Sequence, residues 1–169
     1  MLLPCLTKLN KDSRFGFTLI EVLVSVGILV VLTAMGVASY NNFNEKRVVR
    51  NAADKIRSNL RLAQRKALAG EKNCDSCGGA VCNVALVGWY ADFSSSPPQI
   101  YGECGTTKFG YKDIDLSSSV DLNTDIPDNK ILFKSLRGGT DLADEATITI
   151  TGFVDKTETV YITTGGEIK

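Results

Sequence analysis

From Phe17 to Tyr40 the chain runs through 24 largely apolar residues in which Glu21 is the sole charge. At about 1.5 Å of rise per helical residue, that stretch is long enough for a hydrocarbon core of about 30 Å. The pattern then becomes periodic: Val49, Ala52, Ala53, Ile56, Leu60, Ala63 and Ala67 recur at three- and four-residue steps and share one helical face, while Arg50, Arg57, Arg61 and Arg65 share another. The two stretches predict one helix from about Thr18 to Ala69, stopped by Gly70, a rod of roughly 75 to 80 Å. Its apolar stripe is expected to dock on a sheet and its arginine stripe to face outward.

Beyond Gly70 the period changes to two. Val84–Phe93, Gln99–Glu103, Ile131–Leu136, Ala146–Thr151 and Thr159–Thr163 read as short antiparallel strands, clearest in KILFKSL and ATITIT. Turn signals at Ser94–Pro98, Ile126–Asn129, Gly138-Gly139 and Gly165-Gly166 separate them. The fold class is α+β: a long N-terminal helix packed on an antiparallel β-sheet head. The organisation is an N-terminal segment 1–16, an apolar helix 17–40, an amphipathic helix 41–70 continuing it, and a β-rich head 71–169.

Charge sharpens this division, because the overall balance of 19 basic and 19 acidic residues conceals an asymmetry. Glu45–Lys72 holds nine basic and three acidic residues, a net of +6, whereas the chain from Asn73 onward holds seven and fourteen, a net of −7. Met1–Gly16 carries Lys8, Lys11 and Arg14 against Asp12. Positive charge flanking a span stays cytoplasmic, so the N-terminus is expected inside and the head outside. The chain has no His, which removes Ser-His-Asp and Cys-His catalysis and the commonest catalytic zinc shells. A non-enzyme is expected, and no cofactor is implied.

A carboxylate near a bilayer interior costs roughly 2.5 to 3.5 kcal/mol on insertion scales, which makes Glu21 a functional candidate in search of a cation. No Lys, Arg or His lies between Phe17 and Asn44, so that cation is not a neighbour in the segment. The stretch RFGFTLIEVLVSVGILVVLTAM, residues 14–35, resembles the N-terminal signal of type IV prepilins and pseudopilins. The resemblance implies that a prepilin peptidase removes 1–16 as a leader, cutting between Gly16 and Phe17, and methylates the new Phe17 amine. It also implies that Glu21 serves subunit assembly by pairing with the free α-amino group of the next subunit in a filament. A plain signal anchor is the competing reading. An ordinary secretory signal is cut after its apolar region, whereas Gly16-Phe17 precedes it. This chain departs from many family members in having no Pro about 20 residues past the cut; Gly27 and Gly36 are the residues placed to loosen the helix.

The closing segments ILFKSLRGGT, ATITI and VYITTGGEIK resemble, over about 40 residues, the C-terminal part of H-type pseudopilins of type II secretion and related minor pilins. That resemblance implies a minor pilin or pseudopilin, with other pilin or pseudopilin subunits, the prepilin peptidase and the bacterial inner membrane as partners. The alternative is a pilus-borne DNA receptor for natural transformation. For the arginine stripe, Arg50, Arg57, Arg61 and Arg65, three roles stand open: a solvated face, contact with acidic surface of neighbouring subunits, or nucleic-acid contact. The last is not favoured, because the stripe lacks interleaved aromatics for stacking, the head beside it is acidic, and Lys169 is the one basic residue of the C-terminal tail.

Of five cysteines, Cys5 falls in the leader, leaving Cys74, Cys77, Cys82 and Cys104. An even number in an exported domain points to disulfides, with three pairings open. A four-thiolate zinc knuckle on Cys74-x2-Cys77 is the alternative, although Cys82 and Cys104 form no second such pair. Asp113, Asp115, Asp121, Asp125 and Asp128 read as a solvated loop, since the segment lacks the Gly and terminal Glu of a calcium loop.

Overall fold

The computed structural model describes residues 16–136, 138–152 and 156–169, so the readings on Cys5, Lys8, Lys11 and Arg14 lie outside the described residues. Helix α1 spans Leu19–Leu68. The chain divides into two compact units, 1–41 and 42–169, so the amphipathic part of α1 belongs to the same unit as the head.

In the first unit, Leu19–Val37 has a mean hydropathy of 2.4 and none of it is buried. Its two hydroxyls turn inward on the helix: Ser25 Oγ donates to the Glu21 carbonyl at 2.7 Å and Thr33 Oγ1 to the Leu29 carbonyl. Such back-bonding lets an apolar helix carry polar side chains without exposing a donor. The helix passes through Gly27 and Gly36 without interruption.

In the second unit, all seven residues of the predicted apolar stripe are buried, from Val49 at 1 % exposed to Ala67 at 1 %. The helix ends where Gly70 was expected to stop it. Gly70 takes φ +63, its N–H donates to the Ala67 carbonyl and the Glu71 N–H to that of Lys66, the paired bonds of a Schellman cap. A left-handed residue at this position favours glycine because no Cβ meets the backbone.

The head holds two antiparallel sheets where one was expected. Strands β1 (Leu86–Asp92), β2 (Gln99–Cys104), β3 (Thr107–Asp113) and β5 (Lys130–Lys134) form the first, in the order β3-β2-β1-β5. Strands β4 (Val120–Thr124), β6 (Ala146–Gly152) and β7 (Thr157–Ile162) form the second, in the order β4-β6-β7. Thr140 joins them: it bridges to Phe133 on β5, and its N–H donates to the Thr164 carbonyl just past β7.

Alternation places Trp89 and Ala91 opposite Phe133 and Ile131 across β1 and β5, and Ala146 and Ile148 opposite Ile162 and Val160 across β6 and β7. These eight residues are buried and, with the α1 stripe, make one core. Gly102 is required by close approach, since a Cβ there would sit 2.4 Å from the Phe109 ring. Phe109 meets Trp89 edge-on at 5.6 Å. Trp89 is also held from the helix end, donating its indole N–H to the Glu71 carbonyl at 3.0 Å beneath the Lys66 ammonium.

Strands β3 and β4 were not expected from the sequence. The aspartates read as one loop are divided by them: Asp113 closes β3, Asp121 lies within β4, and Asp125 accepts the Thr147 N–H and hydroxyl at 2.5 and 2.8 Å.

Leu60 is fully buried at the centre of the stripe. Leu60→Ala is expected to destabilise the head by about 2 to 5 kcal/mol, the usual cost of a large-to-small core change, read as a lower denaturant midpoint at unchanged slope.

Candidate functional site

The candidate site begins at the start of α1. Gly16 and Phe17 precede the helix and are exposed, and Gly16 has no neighbouring atom within 4 Å of its would-be side chain. Thr18 is the N-cap: its Oγ1 accepts the Glu21 N–H at 3.3 Å and its carbonyl accepts from Val22 at 3.2 Å. Thr18-Leu19-Ile20-Glu21 is therefore the residue pattern of a capping box, a signal legible in the sequence as Thr-x-x-Glu. Glu21 lies in the first helical turn, where the helix dipole favours negative charge. Among the described residues it forms no ion pair within the chain. Phe17, Leu19, Val22, Leu23, Val26 and Gly27 line an open apolar face beside it.

The arginine stripe faces outward as expected except at Arg57, which is half-buried, and two of its members reach back to the head. Arg57 donates to the Thr159 carbonyl and Arg61 to the Ile168 carbonyl, both at 3.2 Å, and Gln64 donates to the Gly166 carbonyl at 2.8 Å. The reason lies in the end of the sheet. The last residues return along β7, with Lys169 and Tyr161 exchanging both backbone bonds, and the remaining carbonyls take their donors from α1. Arg57 also pairs with Asp54 at 3.1 Å. Arg50, Arg61 and Arg65 are all exposed, Arg50 beside Phe43, Lys46 and Arg47.

The four cysteines are joined as Cys74–Cys82 and Cys77–Cys104. The first closes a small loop; the second fastens that loop to the end of β2. Lys72 adds two bonds, donating to the Cys82 and Val84 carbonyls at 2.7 and 3.2 Å. With every thiol of the set bonded to another, no thiolate is left to hold the zinc of the alternative reading.

The outer face of the first sheet carries an aromatic row missed in the sequence. Tyr90 and Tyr101 stack at 5.3 Å, Tyr101 and Tyr111 lie 5.4 Å apart, and the Lys108 ammonium stands 4.8 Å from the Tyr101 ring centre. The signal was the register, which sets Tyr90 opposite Tyr101. Tyr101, at the centre of the row, is 2 % exposed, whereas Tyr111 at its edge is 56 % exposed. Burial raises the Tyr101 hydroxyl above the ordinary tyrosine value, with Lys130 opposing and Asp92 and Glu103 reinforcing the rise; burial and Glu103 raise that of Tyr90.

Residues 11–37 match the family model described as the prokaryotic N-terminal methylation motif. No curated protein and no solved structure matches the chain. The class defined by motif and fold is a membrane-span-length apolar helix with a prepilin-type N-terminus, carried on a helix-on-sheet α+β head. These features are consistent with the broader type IV pilin and pseudopilin family.

Two outcomes follow from this geometry. Peptide mapping of exported protein without reductant should recover Cys74 linked to Cys82 and Cys77 linked to Cys104; any other pairing contradicts the loop arrangement. In a spectrophotometric pH titration, Tyr90 and Tyr101 should ionise above the ordinary value of about 10. A raised folded-state value means that their contribution to stability is complete below the unfolded value and is lost as pH rises through the folded one. Tyr101→Phe should therefore flatten the alkaline fall in stability.

Proposed function

We propose that this chain is a filament subunit of the type IV pilin class, a minor pilin or pseudopilin. It is held in the inner membrane by α1 with its N-terminus cytoplasmic and its head outside, then assembled after a prepilin peptidase removes 1–16. One observation carries the reading: an uncovered apolar segment, Leu19–Val37, lies within the methylation-motif match, with Glu21 in the first turn of its helix and, among the described residues, no cation paired with it.

Gly16 and Phe17 lie ahead of the helix, where a peptidase reaches the bond between them. Its hydrolysis frees the Phe17 amine, four residues from Glu21. An apolar helix leaves lipid only for another apolar medium, and a bundle of like helices is one. Within it, Glu21 selects docking depth, because a shift of one turn strands a buried charge at a cost of about 3 to 5 kcal/mol. The DNA-receptor alternative loses support from the head, where Arg57 and Arg61 are engaged on backbone carbonyls.

The test separates processing from assembly. With an active prepilin peptidase the chain should lose 16 residues and gain a methyl group by intact mass, and Gly16→Val should block both. Glu21→Ala should insert and be processed as wild type, yet fail to enter sheared filament fractions and accumulate in the inner membrane. Wild-type recovery of that variant in filaments would remove the charge-pair mechanism.

A further inference from the structure

Away from α1's apolar segment, the head carries an open groove of about 480 Å³ between the β1–β2 connection and the β3–β4 connection. We propose that this groove binds a neutral saccharide. The inference stands apart from assembly, since it uses no residue of residues 16–41.

Both walls are fixed in advance. On one side the Asp92 carboxylate, 5 % exposed, accepts the Ser94 N–H at 2.9 Å and the Ser94 hydroxyl at 2.5 Å, and lies 3.5 Å from the Lys130 ammonium. The same connection is held at its two ends, by the Phe93 N–H donating to the Asn129 carbonyl at 2.8 Å and the Ile114 N–H to the Pro98 carbonyl at 2.7 Å. On the other side, the Val120 N–H closes a turn onto the Ser117 carbonyl at 3.1 Å, the Ser117 and Ser119 hydroxyls share a bond at 2.8 Å, and Lys55 donates to the Asp115 carbonyl at 2.9 Å. A buried carboxylate is thus spent on shaping a serine-rich surface loop. Walls ordered before a ligand arrives lower the entropy lost on binding.

The lining selects the ligand's chemistry. Phe93, Pro97 and Leu122 supply apolar surface, while Ser96, Ser117 and Asp121 supply hydroxyls and one carboxylate. Among the described residues no Lys or Arg lines the groove, so phosphates, anionic sugars and nucleic acid find no counter-charge. A single carboxylate also falls short of the six to eight oxygens that calcium takes. A neutral sugar fits both halves, presenting a C–H face to the apolar side and hydroxyls to the serines and to Asp121. The volume falls in the range of about 300 to 1,000 Å³ usual for small-ligand sites.

The test uses the full chain in a zwitterionic, sugar-free detergent, titrated with lactose, cellobiose and chitobiose at millimolar concentrations while amide shifts are followed by NMR. At least one disaccharide should move the amides of 93–96 and 116–122 and leave the other strands unchanged. Asp121→Asn should weaken that binding by about tenfold, the scale of a lost hydrogen bond to a charged acceptor. Ser118→Trp, at an exposed position of the rim, should abolish it with the rest of the spectrum intact. Glucuronic acid should not bind. No localised shift with any of the three sugars, equal binding of glucuronic acid, or wild-type binding by both variants would each overturn the proposal.

Discussion

An apolar helical surface that no described residue of its own chain covers is the constraint on which the rest of this protein turns. Leu19–Val37 exposes Val, Leu, Ile and Met side chains around its whole circumference, and burial of such surface is favoured by about 25 cal/mol for each square ångström. The head cannot supply that cover. Its core is closed by the α1 stripe from Val49 to Ala67 and by the inward residues of two sheets. Two kinds of hydrophobic demand therefore coexist on one helix, one met within the chain and one directed outside it.

The half that is met internally was legible in the sequence because it is periodic and small. Four of its seven stripe residues are alanines, which let a helix lie close to a sheet, and all seven are buried as the three- and four-residue spacing requires. Gly70 was equally legible as a stop. The edge strands β3 and β4 were not. In TKFGYKD only Phe109 is buried, and VDLNT alternates half-buried with exposed residues over just five positions without fully burying one, so neither segment offers a strong apolar face. Both are edge strands, each with one paired neighbour, and charged or polar side chains at such edges discourage pairing with another chain. The features that make them safe edges made them read as loop.

The arginines show a different limit. Spacing placed Arg57 and Arg61 on a face away from the apolar stripe, but spacing carries no information about which carbonyls a returning C-terminal segment leaves without donors. Long guanidinium side chains reach over the stripe's edge and supply them. The cysteines were similar: their number was readable, but the pairing was settled by the fold bringing the loop of Cys77 to the end of β2 at Cys104. In the chain-entropy picture, loops of these sizes contribute roughly 2.5 and 3.5 kcal/mol by restricting the unfolded chain. A head of this size gains from such ties because its single core is small.

Magnitudes decide how Glu21 bears on assembly. At the first turn of α1 it benefits from the helix dipole by about 0.3 to 1 kcal/mol, and the Thr18 cap satisfies its backbone N–H. A carboxylate in an apolar medium costs roughly 2.5 to 3.5 kcal/mol on insertion scales. The helix itself thus offsets less than half of that cost, and no Lys, Arg or His lies between Phe17 and Asn44 to offset the remainder. A charge left uncompensated by its own segment favours whichever environment brings a cation to its depth. Lipid brings none, whereas the bundle of processed copies proposed above would bring one amine for each carboxylate. The apolar surface favours any nonpolar cover equally; the carboxylate is what distinguishes a helix bundle from a bilayer.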